Sequence, residues 1–166
     1  VWLPRAFGKA EKAEPVSTDN QRGRGAVLIL DDEDTILRIA ASVLRRSGYE
    51  ASVSKNGEQA LALAEMAVAS GQPFRAAILD LTIPGGAGGR EIVHKLKELD
   101  PKIKVVASSG YAGDEAMANP CELGFDGGLP KPYTAQELRQ VLAKLLAVDE
   151  GAASKMSVAP TPAPQN

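Results

Sequence analysis

Five short strand-like stretches, separated by stretches of helical periodicity, restrict what this chain can fold into. The first, Ala26-Val-Leu-Ile-Leu30, is continuous, as a strand covered on both faces requires. Ile36, Ile39, Ala40, Val43 and Leu44 then recur at helical spacing, and Gly48 ends the helix. A second strand is expected over 49–54, and a second helix carries Ala60, Leu61, Ala64 and Val68 up to Gly71. The third strand, 75–80, ends on Asp80. Ile92, Val93, Leu96 and Leu99 mark a third helix, stopped by Asp100-Pro101. The fourth strand spans 103–109, and a short helix over about 113–119 is curtailed by Pro120. "FDGGLP" holds a weak fifth strand. Thr134-x-x-Glu137 is a capping box opening the last helix, whose apolar face is Leu138, Val141, Leu142, Leu145 and Leu146. Strand–helix alternation repeated five times predicts an α/β domain over 26–148, a doubly wound parallel sheet with helices on both faces. Ligands of such sheets sit at the carboxyl ends of the strands, near the point where strand order reverses.

Composition narrows the function classes. The chain has 166 residues, 44% hydrophobic, enough for one domain with tails. Its net charge of −2 recommends no nucleic-acid partner. A single cysteine, Cys121, excludes a disulfide framework or a thiolate metal cluster within one chain; it is expected to pack as a small apolar group. No apolar run approaches the ~18 residues of a membrane span, and no signal-peptide pattern opens the chain. A start at Val1 is read as a piece of a longer or processed polypeptide. Residues 1–25 begin strand-like with "VWLPRA" and continue as a charged linker, whereas 149–166 are small residues and prolines, expected to be disordered.

The expected strand ends carry the chemistry. Asp31, Asp32, Glu33 and Asp34 follow the first strand, Asp80 closes the third, Ser108 and Ser109 close the fourth, and Lys131-Pro132 follows the fifth. In a parallel sheet these groups converge on one rim. Carboxylates within ~5 Å of one another repel by roughly 3 kcal/mol per pair at an effective dielectric of about 20. A cation among them, or a raised pKa, relieves that repulsion. An all-oxygen donor set with few protein ligands suits Mg²⁺. A metal and an ammonium around one aspartate is an arrangement that can receive a phosphoryl group, with the aspartate as nucleophile and a hydroxyl such as that of Ser109 on a phosphoryl oxygen. The glycines of "PGGAGG" would allow tight turns beside it; they lack the spacing of a dinucleotide fingerprint.

The stretches "VLILDDED", "AILDLTIPG", "VVASSGY" and "LPKPYT", in this order, resemble the signatures of the two-component response-regulator receiver domain. The resemblance implies a five-stranded sheet in the order 2-1-3-4-5 and Mg²⁺-dependent phosphoryl transfer from a histidine kinase's phosphohistidine. By that likeness Asp80 is the phosphoacceptor, Asp31 and Asp32 hold the metal, and Thr82 adds its backbone carbonyl. Ser109 rather than Ser108 is the phosphoryl-binding hydroxyl, Tyr111 sits two places on at the mouth of the site, and Lys131 is the phosphate-binding lysine before a cis proline. "VWLPRA" resembles the last strand of a histidine kinase's ATP-binding domain. The fragment is thus read as the cytoplasmic C-terminal receiver of a hybrid sensor histidine kinase whose parent chain can be membrane-anchored, itself a phosphoacceptor with at most self-phosphorylation and self-dephosphorylation. A histidine phosphotransfer protein is the expected downstream partner.

One position departs from the likeness. Three residues before the lysine, receivers usually carry an aromatic or His whose rotamer reports phosphorylation; here it is Gly128. That, with Pro120 in the fourth helix, favours a receiver that passes phosphate onward, drains it, or signals through backbone shifts. Two other functions compete: a pseudo-receiver interaction module, and an aspartate-nucleophile phosphatase of the haloacid dehalogenase type, whose Asp-x-Asp-x-Thr pattern Asp32-Glu-Asp34-Thr misses by one place. His94, alone of its kind, is expected on a solvated helix face.

Overall fold

A computed structural model describes residues 25–111 and 113–153. The elements in chain order are β1 (Ala26–Leu30), α1 (Asp34–Arg46), β2 (Glu50–Ser54), α2 (Gly57–Ala69), β3 (Ala76–Asp80), α3 (Gly89–Leu99), β4 (Lys104–Ser109), α4 (Glu115–Ala118), a 3₁₀ turn (Pro120–Leu123), β5 (Gly127–Pro130) and α5 (Ala135–Ala153). All strand pairs are parallel, in one sheet ordered β2-β1-β3-β4-β5. The order reverses between β1 and β3, so the switch point lies between the strands that lead into Asp31 and Asp80.

The central strands β1 and β3 are apolar up to Asp80 because the sheet is covered on both sides there, the edge strand β2 is largely polar, and the alternation along the strands sorts side chains between two cores. Leu28, Leu30, Ala77, Leu79, Val105 and Ala107 pack with Ala60 and Ala64 of α2, Ile92, Val93 and Leu96 of α3, and Ala116 of α4. Val27, Ile29, Ala76, Ile78 and Val106 pack with Leu37, Ala40, Ala41 and Leu44 of α1 and Leu138, Leu142 and Leu146 of α5. Phe125, 1% exposed, anchors the entry to the glycine-rich β5; truncating such a ring costs about 3–5 kcal/mol.

Four sequence expectations shift in detail. The α1 stripe that faces the sheet is Leu37, Ala40, Ala41 and Leu44, one residue out of phase with the expected set, which leaves Ile39 58% exposed. Leu37 completes an i, i+3, i+4, i+7 pattern that Ile36 and Ile39 only approximate. The fourth helix shrinks to Glu115–Ala118, because Pro120 cannot continue it and instead starts the 3₁₀ turn. Cys121 on that turn is exposed rather than packed, and His94 is exposed on α3. The α3 stop at Asp100 and the α5 capping box stand as expected. α5 runs to Ala153, past residue 148. The remainder of the expected kinase-domain end and linker (1–24) and of the expected tail (154–166) lies outside the described residues. No helix among the described residues is long and apolar enough to cross a membrane.

Candidate functional site

Three carboxylates meet where β1 and β3 end. Asp31, Asp32 and Asp80 each offer an oxygen, all within 4.8 Å of one another. Asp31 and Asp80 are buried and Asp32 is exposed, so the cluster opens outward through Asp32. Backbone amides fix the two buried carboxylates: Glu33 N donates to Asp31 Oδ1 at 2.9 Å, and Thr82 N to Asp80 Oδ1 at 3.0 Å. Each is a carboxylate accepting from the amide two residues on, the turn that lets a strand stop on an aspartate and hold its rotamer. Thr82 itself is exposed.

Lys131 reaches back from the end of β5. Its Nζ lies 2.6 Å from Asp31 Oδ2 and 2.6 Å from Asp80 Oδ2, with the lysine side chain 14% exposed. The peptide from Lys131 to Pro132 is cis. Burial drives the ammonium toward deprotonation, yet the hydrogen bonds and charges of Asp31 and Asp80 together outweigh it and hold its pKa above the ordinary 10.5. Burial also lifts Asp31 above the usual carboxylate range, against the pull of Lys131 and of Glu33 N–H. The two directions have different causes: burial dominates at Asp31, whereas two buried carboxylates sharing a single ammonium keep Lys131 charged. Beside them, burial first and the charge of Asp31 second push the Tyr133 phenol to about 12.

This donor set fits a divalent cation of the Mg²⁺ kind. It is all oxygen, it converges within 4.8 Å, and it keeps an acid excess after Lys131 has paired with two of its members. Asp31, Asp32 and Asp80 are the side chains that would hold it.

The loop after Asp80 is glycine-rich for two reasons, the turn that was expected and close packing that was not. Gly85 has φ +73, a turn conformation suited to glycine. Gly88 and Gly89 are needed for close packing: a Cβ on Gly88 would meet the Leu81 carbonyl oxygen at 2.5 Å, and one on Gly89 the Asp80 carbonyl oxygen at 2.9 Å. They let α3 start directly against the end of β3.

Of the two serines, Ser108 is the register partner of Asp80, and its Oγ is buried without a hydrogen-bond partner among the described residues. Ser109 Oγ accepts from Tyr111 N at 3.1 Å and donates toward Asp114 Oδ2 at 3.5 Å, while the Tyr111 ring is 80% exposed. Asp114 also binds Arg90. Neither Asp114 nor Arg90 stood out in the sequence, where nothing marks a link between residues 24 positions apart. The gap at Gly128 is filled from α4: a Cβ there would lie 3.1 Å from Met117 Cε. A flexible thioether occupies the space in place of an aromatic ring.

Residues 27–143 match the family model described as response regulator receiver domain. The chain belongs to this family. A response regulator receiver protein of Anaeromyxobacter sp. (strain Fw109-5) is 32% identical over 67% of this chain and 44% of its own length. Sporulation initiation phosphotransferase F of Bacillus subtilis (strain 168) is 31% identical over 72% of this chain and 92% of its own length. Sensor kinase CckA of Brucella abortus (strain 2308) is 30% identical over 83% of this chain but only 14% of its own length. A CheY-like receiver domain from Methanospirillum hungatei JF-1 superposes with a TM-score of 0.68 at 26% identity, covering 78% of this chain and 99% of that one. The chain therefore spans less than half of the first of these relatives and a small part of the sensor kinase. Within the receiver family, whose members bind Mg²⁺ at an acidic pocket, the Asp31–Asp32–Asp80 cluster occupies the rim at the switch point.

Proposed function

We propose that this receiver accepts a phosphoryl group on Asp80 from a phosphohistidine, with Mg²⁺ held by Asp31, Asp32, Asp80 and the backbone carbonyl of Thr82. The observation that carries the reading is Lys131 Nζ set 2.6 Å from both buried carboxylates, beside a third. An Asp80 oxygen attacks phosphorus. The P–N bond of the donor breaks, its electron pair stays on the imidazole nitrogen, and the phosphoryl group ends as an acyl phosphate. Thr82 N–H fixes one Asp80 oxygen, which keeps the carboxylate aimed. Lys131 follows the charge as it moves from carboxylate to phosphoryl oxygens, and Ser109 supplies a hydroxyl to one of them. When bound, Mg²⁺ neutralises charge on the transferring phosphoryl oxygens.

The likeness to sensor kinase CckA over 83% of this chain supports a place at the end of a hybrid histidine kinase, with the donor phosphohistidine in the same or a partner polypeptide and a histidine phosphotransfer protein downstream. A cytoplasmic site is part of this reading. Gly128, seated under Met117 instead of carrying an aromatic ring, favours phosphate relay over an aromatic rotamer switch. A pseudo-receiver that never takes phosphate is the competing reading. Intact mass after incubation with acetyl phosphate separates the two. The relay reading expects one phosphoryl group on the wild type in Mg²⁺, none in EDTA and none on Asp80→Asn. An unmodified wild type in Mg²⁺ sinks it in favour of the pseudo-receiver.

A further inference from the structure

The Ser109 hydroxyl is already engaged. Its oxygen lies 3.5 Å from Asp114 Oδ2, a long contact in which the hydroxyl donates, and it accepts from Tyr111 N. Asp114 is the N-cap of α4; its Oδ1 accepts from Ala116 N at 3.0 Å and also pairs with the Arg90 guanidinium from the first turn of α3. The Asp114 side chain is 10% exposed and that of Arg90 40%. A chain of polar contacts thus runs from α3 through Asp114 to the hydroxyl next to Ser108, the register partner of Asp80.

One hydroxyl proton cannot serve Asp114 and a phosphoryl oxygen at once. An ionised acceptor holds a hydroxyl more strongly than a neutral one, yet at 3.5 Å the hold is weak enough to be released. Arg90 shares the same carboxylate, drawing on its charge and pinning its position.

We propose that Asp114 and Arg90 are positioning residues that set how readily Ser109 turns to the phosphoryl group: Asp114 retains the hydroxyl, and Arg90 tempers that retention. This rests on the reading of Asp80 as phosphoacceptor. The two partners then act with opposite sign. Asp114→Asn keeps an oxygen for Ala116 N while losing the charge, so Ser109 is released. Arg90→Met leaves the charge uncompensated, so Ser109 is held harder. A helix cap and surface ion pair with no other role would lose stability from either change and would not split in sign.

The test is the rate of phosphoryl uptake from acetyl phosphate in Mg²⁺, followed by intact mass. An Asp80 oxygen takes the phosphoryl group, the P–O bond to the acetyl group breaks, and acetate leaves with the electron pair. Asp114→Asn is expected to speed uptake by about fivefold, the scale of exchanging a charged acceptor for a neutral one. Arg90→Met is expected to slow it by a similar factor, and Arg90→Lys to restore the wild-type rate. In a Ser109→Ala background both effects should vanish. Shifts of the same sign, no shift, or effects that persist without the Ser109 hydroxyl would overturn the inference while leaving Asp80 as acceptor. A wild type that takes up no phosphoryl group on Asp80 would remove the functional reading and this inference with it.

Discussion

Removing the Lys131 ammonium should expose the repulsion that it now masks. Lys131→Met keeps the length of the stem but leaves Asp31 and Asp80, with side chains 3% and 11% exposed, facing each other and Asp32 within 4.8 Å. At an effective dielectric of about 20, two charges at that separation repel by about 3.5 kcal/mol. Stripping one partner from a buried pair typically costs 3–5 kcal/mol. Without divalent cation at neutral pH, the variant should therefore lose about 3–4 kcal/mol, a fall in Tm of roughly 10–15 °C for a domain of this size. The loss should shrink as pH falls. The Asp31 pKa already lies above its ordinary value through burial, and a carboxylate whose folded pKa is raised loses stability as pH climbs from its unfolded pKa through the raised folded one. Mg²⁺ at about a hundredfold over its Kd stabilises a binding fold by about 2.7 kcal/mol, and the more negative variant site should recover at least that much. Thermal melts in EDTA and in Mg²⁺, at two pH values, read all three effects. A variant that melts with the wild type in EDTA, or that Mg²⁺ fails to stabilise, would refute the electrostatic reasoning.

Further outcomes follow from other contacts. Gly128→Phe must displace Met117, since even a Cβ would come within 3.1 Å of Met117 Cε; a loss of about 1–3 kcal/mol in urea unfolding is expected, largely recovered by adding Met117→Ala. Gly89→Ala places a Cβ 2.8 Å from Leu79 Cβ and 2.9 Å from the Asp80 carbonyl oxygen, so it should lower both Tm and Mg²⁺ affinity, measured by melting and by titration calorimetry. The Thr134 backbone N–H, and then its hydroxyl, hold the Glu137 pKa below its ordinary 4.5. Its contribution is therefore present above that value and lost as pH falls through the lowered folded pKa, and Glu137→Gln should flatten the acid limb of the stability–pH curve there.

The sequence made the architecture legible because the central strands are short apolar runs between helical periodicities, while the edge strands Glu50–Ser54 and Gly127–Pro130 are not and were placed by the alternation of elements. Where it misled, two patterns overlapped: Ile39 and Leu37 both fit helical spacing in α1, and only packing against the sheet decides between them. The acids after β1, Asp80 and Lys131 were readable because a parallel sheet sends successive strand ends to one rim. That Lys131 binds both Asp31 and Asp80 needed coordinates. Arg90, Asp114 and Met117 were not readable at all. Each acts through a side chain meeting a distant partner across loops whose shape no local pattern encodes, and Gly128 offered only the absence of a side chain.

The most direct test of Asp80 as acceptor is chemical. An acyl phosphate on an aspartate is reduced by borohydride to homoserine, so protein treated with acetyl phosphate and Mg²⁺, reduced and digested, reports the modified position by peptide mass. Homoserine at position 80, absent from the EDTA control and absent from Lys131→Ala, is the expected result. Reduction at another carboxylate, or none in the presence of Mg²⁺, would contradict it.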